Sequence, residues 1–262
     1  MPMTTIRQIT AAIQRLAPLD LQESWDNSGL QVGNADAVCT GVLVTVDVTP
    51  AVVREAVARG CNLIVSHHPL IFRGLKTITG QNDVQLSVHA AIVGGVSVYS
   101  SHTALDNAPG GVSHTMASML GVRVTDVLVP SAPGSQAGTG VVGELPQPLG
   151  GPEFVSRVKK VFGASVARCT AMPAKAVSRV ALCGGAGGEF IARAAACGAQ
   201  AYVTGDVRYH DFVDWQDRLL IVDVGHYETE QCVKNIFFKT IQTNFPELPL
   251  FMTTASNPVH YC

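Results

Sequence analysis

The sequence predicts an α/β protein made of two related α/β halves, and three observations carry that prediction. Short apolar runs rich in Val, Ile and Leu, such as VLVTV at 42–46, NLIVS at 62–66 and LLIVDV at 219–224, alternate with Ala-rich segments of helical period. The stretch GVLVTVDVTPAVVREAVARGCNLIVSHHP aligns without a gap on VSRVALCGGAGGEFIARAAACGAQAYVTGDVR. In that alignment Gly60 falls on Gly198, Val42–Val44 on Val180–Leu182, Ser66 on Thr204 and His68 on Asp206. Finally, polar residues collect where the apolar runs stop, and in open α/β sheets ligands gather outside the carboxyl ends of the strands. Two pseudo-duplicated strand-helix-strand units follow, with mixed sheets, flanking helices and a site at the strand carboxyl ends. The first half is expected over 1–122, a connecting region over 123–178 and the second half over 179–262.

The elements justify themselves in order. TTIRQITAAIQRLAPL has apolar residues at helical spacing behind a Thr, so a helix should close near Pro18. ESWDNSGLQVG is a polar loop whose Trp25, Asp26 and Asn27 either line a substrate site or are ordinary turn residues. The strand NLIVS ends on His67 and His68, and Pro69 stops further ladder pairing. Successive residues leaving a strand point in opposite directions, so a twinned His is awkward for one ion and natural for two neighbouring ones. The plainer alternative is a turn with one satisfied and one solvated histidine.

Two later segments offer matching chemistry. SVYSSHTALD places His102 four residues before Asp106, and LLIVDVGHYETE places His226 four residues before Glu230. A His and a carboxylate at i and i+4 share a helix face, close enough to grip one ion or bridge to a second. Either pair alone could be an ion pair at a helix start. Three strand ends carrying His and carboxylate favour metal.

Between the halves the text turns to PSAPGSQAGTGVVGELPQPLGGPEF, rich in Pro and Gly, and then to a short amphipathic helix around FVSRVKKVF. This predicts a connecting region with small strands, too short for a separate domain. CGGAGGEF lacks the Lys-Ser/Thr of a phosphate loop and does not complete G-x-G-x-x-G, so it predicts a tight strand-to-helix turn. In TGDVRYHDFVDW, Asp206 and His210 occupy the site-facing end of the second half. A helix cap at Asp206 and a substrate or proton-transfer role both stay open.

Composition bounds the function. The 262 residues carry only 15% charged side chains against roughly 25% in typical soluble proteins, with 47% hydrophobic residues. Nothing is long and apolar enough to span a bilayer, so the surplus apolar surface belongs in protein, most simply a subunit interface. A net charge of −2 without a basic cluster argues against general nucleic-acid binding. Seven scattered cysteines with no CxxC and no secretory signal fit buried thiols in a reducing cytosol rather than a thiolate zinc site.

The segments SWDNSGLQVG, IVSHHPLIF, SSHTALDNAPGG, TGDVRYHD, VGHYETE and NPVHYC, in this order and over nearly the whole chain, resemble the GTP cyclohydrolase 1 type 2 homologues. These are also known as NIF-three-like dinuclear metal proteins, and the length fits their short form. The resemblance implies two linked α/β units, a toroidal homohexamer and a two-metal site facing an internal cavity. Carried across motif by motif, it implies His67, His68, Asp106, His226 and Glu230 as ligands of two divalent transition-metal ions. Glu230 would bridge, with His68 and Asp106 completing one ion and His67 and His226 the other. Mixed nitrogen and oxygen donors suit zinc, iron, manganese or nickel. His102 is then available as an acid or base, with His210 the second catalytic candidate and Trp25, Asp26 and Asp206 the substrate-binding ones. Two classes stand: a cytoplasmic metal-dependent hydrolase acting on a small molecule, a nucleotide by the family's name, and a non-enzymatic metal-binding scaffold.

Overall fold

The computed structural model describes residues 3–262. In chain order the elements are α1 (Ile6–Leu16), β1 (Gly29–Val32), β2 (Val42–Thr45), α2 (Pro50–Ala58), β3 (Leu63–Ser66), α3 (Asp83–Val93), β4 (Ser97–Ser100) and α4 (Thr103–Asp106). There follow α5 (Val112–Leu120), β5 (Arg123–Pro130), β6 (Gly138–Leu149), α6 (Gly151–Phe162), β7 (Arg168–Cys169), β8 (Val177–Ala186), α7 (Ile191–Ala196) and β9 (Ala201–Gly205). The chain closes with α8 (Tyr209–Trp215), β10 (Leu220–Asp223), α9 (His226–Glu230), α10 (Val233–Asn244) and β11 (Leu250–Met252). The fold is α/β with two mixed sheets and flanking helices, as the alternation of runs predicts.

The chain divides into two compact units. One runs to Leu105 and takes up Val233–Ser256; the other comprises Asp106–Cys232 with Asn257–Cys262. In the first, the sheet order is β1-β4-β3-β2-β11, parallel except for β1. β2, β3 and β4 are buried along their whole length, which explains why they read as continuous apolar runs rather than alternating ones. Leu43, Ile64 and Val98 meet Val52, Val53 and Ala56 of α2 and Val88 and Ala91 of α3 in one core cluster. The N-terminal helix starts at a capping box, with the Thr5 hydroxyl accepting from the Gln8 N–H and the Gln8 side chain accepting from the Thr5 N–H.

The second unit holds a six-stranded sheet in the order β5-β6-β8-β9-β10-β7, with β8, β9 and β10 parallel. Its core joins Leu128, Val142, Ala181, Tyr202 and Ile221 to Ile191 and Ala194 of α7. The internal repeat is visible in strand register. Leu63 pairs with Val42 and Ala201 with Val180, each 21 positions after its partner, so strand-helix-strand is built to one length in both units.

Unit boundaries differ from the expected ones. The stretch 123–178 supplies β5, β6, α6 and β7 to the second unit, and β6 is twelve residues long rather than a small strand. Pro146 and Pro148 lie where the β6–β8 register shifts between Glu144 and Leu149, so they are carried by an irregularity instead of ending the strand. PSAPGSQAG is the β5–β6 hairpin connection, not a linker. At the other end of the chain, α10 and β11 belong with the first unit, where β11 adds a parallel edge strand to β2. Among the described residues no helix is long and apolar enough to cross a membrane.

Candidate metal centre

In the first unit, β3 and β4 run parallel and end at Ser66 and Ser100, and the residues just beyond them carry three imidazoles. The ligand nitrogens of His67, His68 and His102 all lie within 4.8 Å of one another. The ring centroids are 5.0 Å apart for His67 and His68, 5.3 Å for His67 and His102 and 5.5 Å for His68 and His102. The backbone sets this up: both His67 and His68 N–H groups donate to Val46 O, and the Ser101 N–H donates to Ser66 O.

Each of these rings is held through Nδ1. His67 Nδ1 lies 3.0 Å from the Ser101 carbonyl, His68 Nδ1 2.7 Å from Asp47 Oδ1 and His102 Nδ1 2.8 Å from Asp26 Oδ1. A carbonyl or carboxylate oxygen can only accept, so Nδ1 donates in each ring and Nε2 is the nitrogen that could coordinate a metal. This is the arrangement that outer partners impose on metal-binding histidines.

Asp26 is tied down most heavily. Its carboxylate accepts from the Asn27 N–H at 2.7 Å, the Ser28 hydroxyl at 3.1 Å, the Thr103 N–H at 3.0 Å and the Thr103 hydroxyl at 2.5 Å, besides His102. Burial opposes its charge, but the hydrogen bonds from His102 and Thr103, the neighbouring imidazole and the Asn27 N–H outweigh it. They hold the carboxyl far below the usual range.

The second unit presents a different donor set beyond β9 and β10. His226 and Glu230 occupy the two ends of α9, and His226 Nε2 lies 2.9 Å from Glu230 Oε2, so the i,i+4 pair forms as its spacing predicts. His226 Nδ1 lies 2.8 Å from Asp206 Oδ2. The Gly-rich segment is a bed for Glu230: a Cβ on Gly185 would come within 2.2 Å of Glu230 Oε1, and the Gly185 N–H donates to the Thr229 hydroxyl at 3.0 Å. Asp106, at the end of α4, is the remaining carboxylate. Asp223 anchors the surrounding loops, accepting from the Val207 N–H at 2.9 Å and the Gly225 N–H at 3.0 Å and pairing with Arg168. Nearby thiols are not ligands of the usual kind, since burial pushes Cys183 and Cys232 up to about 12.

Residues 4–258 match the Duf34/NIF3 (NGG1p interacting factor 3) family. The chain belongs to that family. Among its Duf34/NIF3 relatives, the GTP cyclohydrolase 1 type 2 homolog of Lactococcus lactis is 36% identical over 218 residues, covering 82% of each chain. The protein of the same description from Clostridium perfringens is 32% identical over 226 residues, 86% of each. A hypothetical protein of Staphylococcus aureus has the same fold, with a TM-score of 0.91 over the whole of both chains at 25% identity. A Bacillus cereus protein related to NIF3 also shares the fold, with a TM-score of 0.88 at 22% identity over both full chains.

Within this Duf34/NIF3 chain, the sequence-predicted residues divide clearly. His67 and His68 are joined by His102, which the ligand set implied by the family resemblance had left over as an acid or base. Asp26 and Asp206, expected to touch substrate, each hold a histidine. His210 stands on exposed α8 with its ring 5.4 Å from Tyr209 and enters none of the donor groups among the described residues. Asp47, the Ser101 carbonyl and Gly185 were missed. Only Asp47 left a signal, as an acid directly beyond a buried strand.

Proposed function

We propose that this chain is a dinuclear metal-binding protein acting as a metal-dependent hydrolase on a nucleotide-like small molecule. The ligands in this reading are His67, His68, Asp106, His226 and Glu230, with Glu230 as the bridge. The observation that carries it is the state of the imidazoles. His67, His68 and His226 each have Nδ1 against an oxygen acceptor, which orients the ring and leaves Nε2 as the coordinating atom.

The donors fit such a centre. The imidazoles of His67 and His68 and the His226–Glu230 pair at 2.9 Å are nitrogen and oxygen donors suited to zinc, iron, manganese or nickel. When bound, two such ions polarise a substrate oxygen and lower the pKa of a water. The chain's own part is to orient and to move protons. Asp26 keeps the His102 proton on Nδ1, so Nε2 can take up a proton from the attacking water and return it to the leaving group. The names of the relatives, GTP cyclohydrolase 1 type 2 homolog, support a nucleotide as substrate. The low charged fraction supports assembly into an oligomer that buries apolar surface, and the family resemblance favours a homohexamer.

Elemental analysis of purified protein, followed by a hydrolysis screen of the metal-loaded protein against nucleotides and phosphoesters, tests the reading. Two ions per chain and a turnover abolished in a folded Glu230→Gln variant are expected. Full metal with no turnover on any substrate would return the scaffold reading, and absence of metal after reconstitution would overturn both.

A further inference from the structure

Two aromatic rings beside the histidine cluster have no role in holding an ion. Trp25 and Phe72 are 59% and 45% exposed, although each is large and apolar. They face each other edge-on with centroids 6.0 Å apart and planes at 66°. Both stand edge-on to His102, at 6.2 Å and 72° for Trp25 and 6.2 Å and 82° for Phe72. Edge-on contact leaves ring faces open to a flat guest, which a stacked pair would not.

Exposed aromatics on a mobile loop would mean little, but these are mounted rigidly. Trp25 sits directly before the heavily bonded Asp26, within a turn closed by the Asp26 N–H to Glu23 O at 2.9 Å. Phe72 follows Ile71, whose carbonyl accepts from Asn27 Nδ2 at 2.5 Å and whose N–H donates to Gln31 Oε1 at 2.9 Å. Gln31 Nε2 in turn donates to Asn27 O at 2.5 Å. The loop carrying Trp25 and the loop carrying Phe72 are therefore stitched to each other, and the rings are held in place before any ligand arrives. Phe72 also lines a cavity of about 390 Å3 with Leu70, Arg73, Leu75, Asn82 and Val84. That lies within the range of about 300–1,000 Å3 usual for small-molecule sites. Arg73 is exposed and forms no ion pair among the described residues.

We propose that Trp25 and Phe72, set around His102, form a stacking site for the flat heteroaromatic ring of an anionic small molecule, with Arg73 supplying the countercharge. This rests on the proposed metal centre only for what lies beside it. Because neither ring ligates, binding should survive removal of metal, so the two readings fail separately.

The protein has two tryptophans, and Trp215→Phe leaves Trp25 as the sole reporter. Metal-stripped Trp215→Phe protein is titrated with GMP, AMP, UMP, guanosine and ribose 5-phosphate while Trp25 emission is followed. The nucleotides should quench Trp25 to saturation, and ribose 5-phosphate should bind at least about tenfold more weakly. Phe72→Ala should weaken GMP by about tenfold at an unchanged melting temperature, and Trp25→Phe, measured by equilibrium dialysis, should retain most of the binding that Trp25→Ala loses. Arg73→Gln should weaken GMP while leaving guanosine unaffected. Equal binding of GMP and ribose 5-phosphate, or an unchanged GMP affinity in folded Phe72→Ala, would overturn the proposal. So would quenching that follows protein concentration and ignores nucleotide, which would assign the rings to a second copy of the chain.

Discussion

Asp206 accepts a hydrogen bond from His226 Nδ1 at 2.8 Å while holding its own backbone at φ 53°, the one positive φ outside glycine among the described residues. The preceding Gly205 permits this, because a Cβ there would come within 2.8 Å of the Gly225 carbonyl carbon and the His226 nitrogen. The loop after β9 is thus pressed against the start of α9, and a side chain is kept in a left-handed conformation that favours glycine. Backbone strain therefore falls on the residue that orients His226.

Substitution separates the two effects. Asp206→Gly accepts the left-handed backbone without penalty, and the ion pair it loses is solvent-accessible on both sides and worth little to the fold, so stability should stay within about 1 kcal/mol of the parent. Asp206→Ala keeps the strain without the hydrogen bond and should be about 1 kcal/mol less stable than the Gly variant. Both should bind metal about 10–100-fold more weakly, as loss of an orienting carboxylate does elsewhere. Denaturant melts and metal titrations on the pair measure this, and equal metal affinity in parent and both variants would remove Asp206 from the centre.

Asp26 makes the stability of the first unit depend on pH. Its carboxyl is held below the unfolded value of about 3.9, so its contribution is complete above that value and fades as pH falls toward the folded one. Asp26→Asn removes the charged acceptor facing His102 and Thr103, and should cost about 2–3 kcal/mol at pH 7. At lower pH the parent loses this advantage, so the two stability curves should converge below about pH 4. Curves that remain parallel from pH 7 to pH 3 would show that the carboxylate's charge is not what the fold uses.

Gly185 should act on the Glu230 carboxylate rather than on the core. Its φ is 61°, and an added Cβ would lie 2.2 Å from Glu230 Oε1 and 3.3 Å from His226 Cε1. Gly185→Ala therefore pushes the proposed bridging ligand out of place at a backbone cost of about 1 kcal/mol. Loss of metal comparable to Glu230→Ala, in protein that still melts cooperatively, is the expected result of elemental analysis and calorimetry. Full occupancy by both ions would contradict the bridging role.

These residues show which part of the site was legible in the sequence. Donors at strand ends and at i,i+4 spacing follow from local periodicity, so His67, His68, His226 and Glu230 could be picked out directly. The same holds for the buried strands β2, β3, β8, β9 and β10. Partners brought near by the tertiary fold carry no such mark: Asp47 reaches His68 across 21 positions and Asp26 reaches His102 across 76. Edge strands were hidden as well. β1 lies inside a polar loop sequence and β11 is only three residues long.

The repeat itself misled at one position. Ser66 pairs with Ser100 and Thr204 with Asp223, so by register His102 follows its strand by two residues and His226 by three. Gly225, at φ 100°, is the added residue. The two His-x-x-x-acid motifs are thus displaced by one position rather than equivalent.

That displacement sharpens the expectation for His102. Its nitrogen lies within the same 4.8 Å group as His67 and His68, yet its Nδ1 is anchored to the buried Asp26 carboxylate, whose side chain is 0% exposed, whereas His68 uses the half-exposed Asp47. A buried carboxylate fixes the orientation of the imidazole, which suits an acid or base beside the ions. His102→Ala should therefore retain two ions per chain and lose at least about a hundredfold in turnover on whichever substrate the hydrolysis screen identifies. His102→Gln fills similar space without titrating and should leave turnover equally low, which separates proton transfer from packing. Loss of one ion in His102→Ala would instead make His102 a ligand, and full turnover at full occupancy would leave it a structural partner of Asp26 alone.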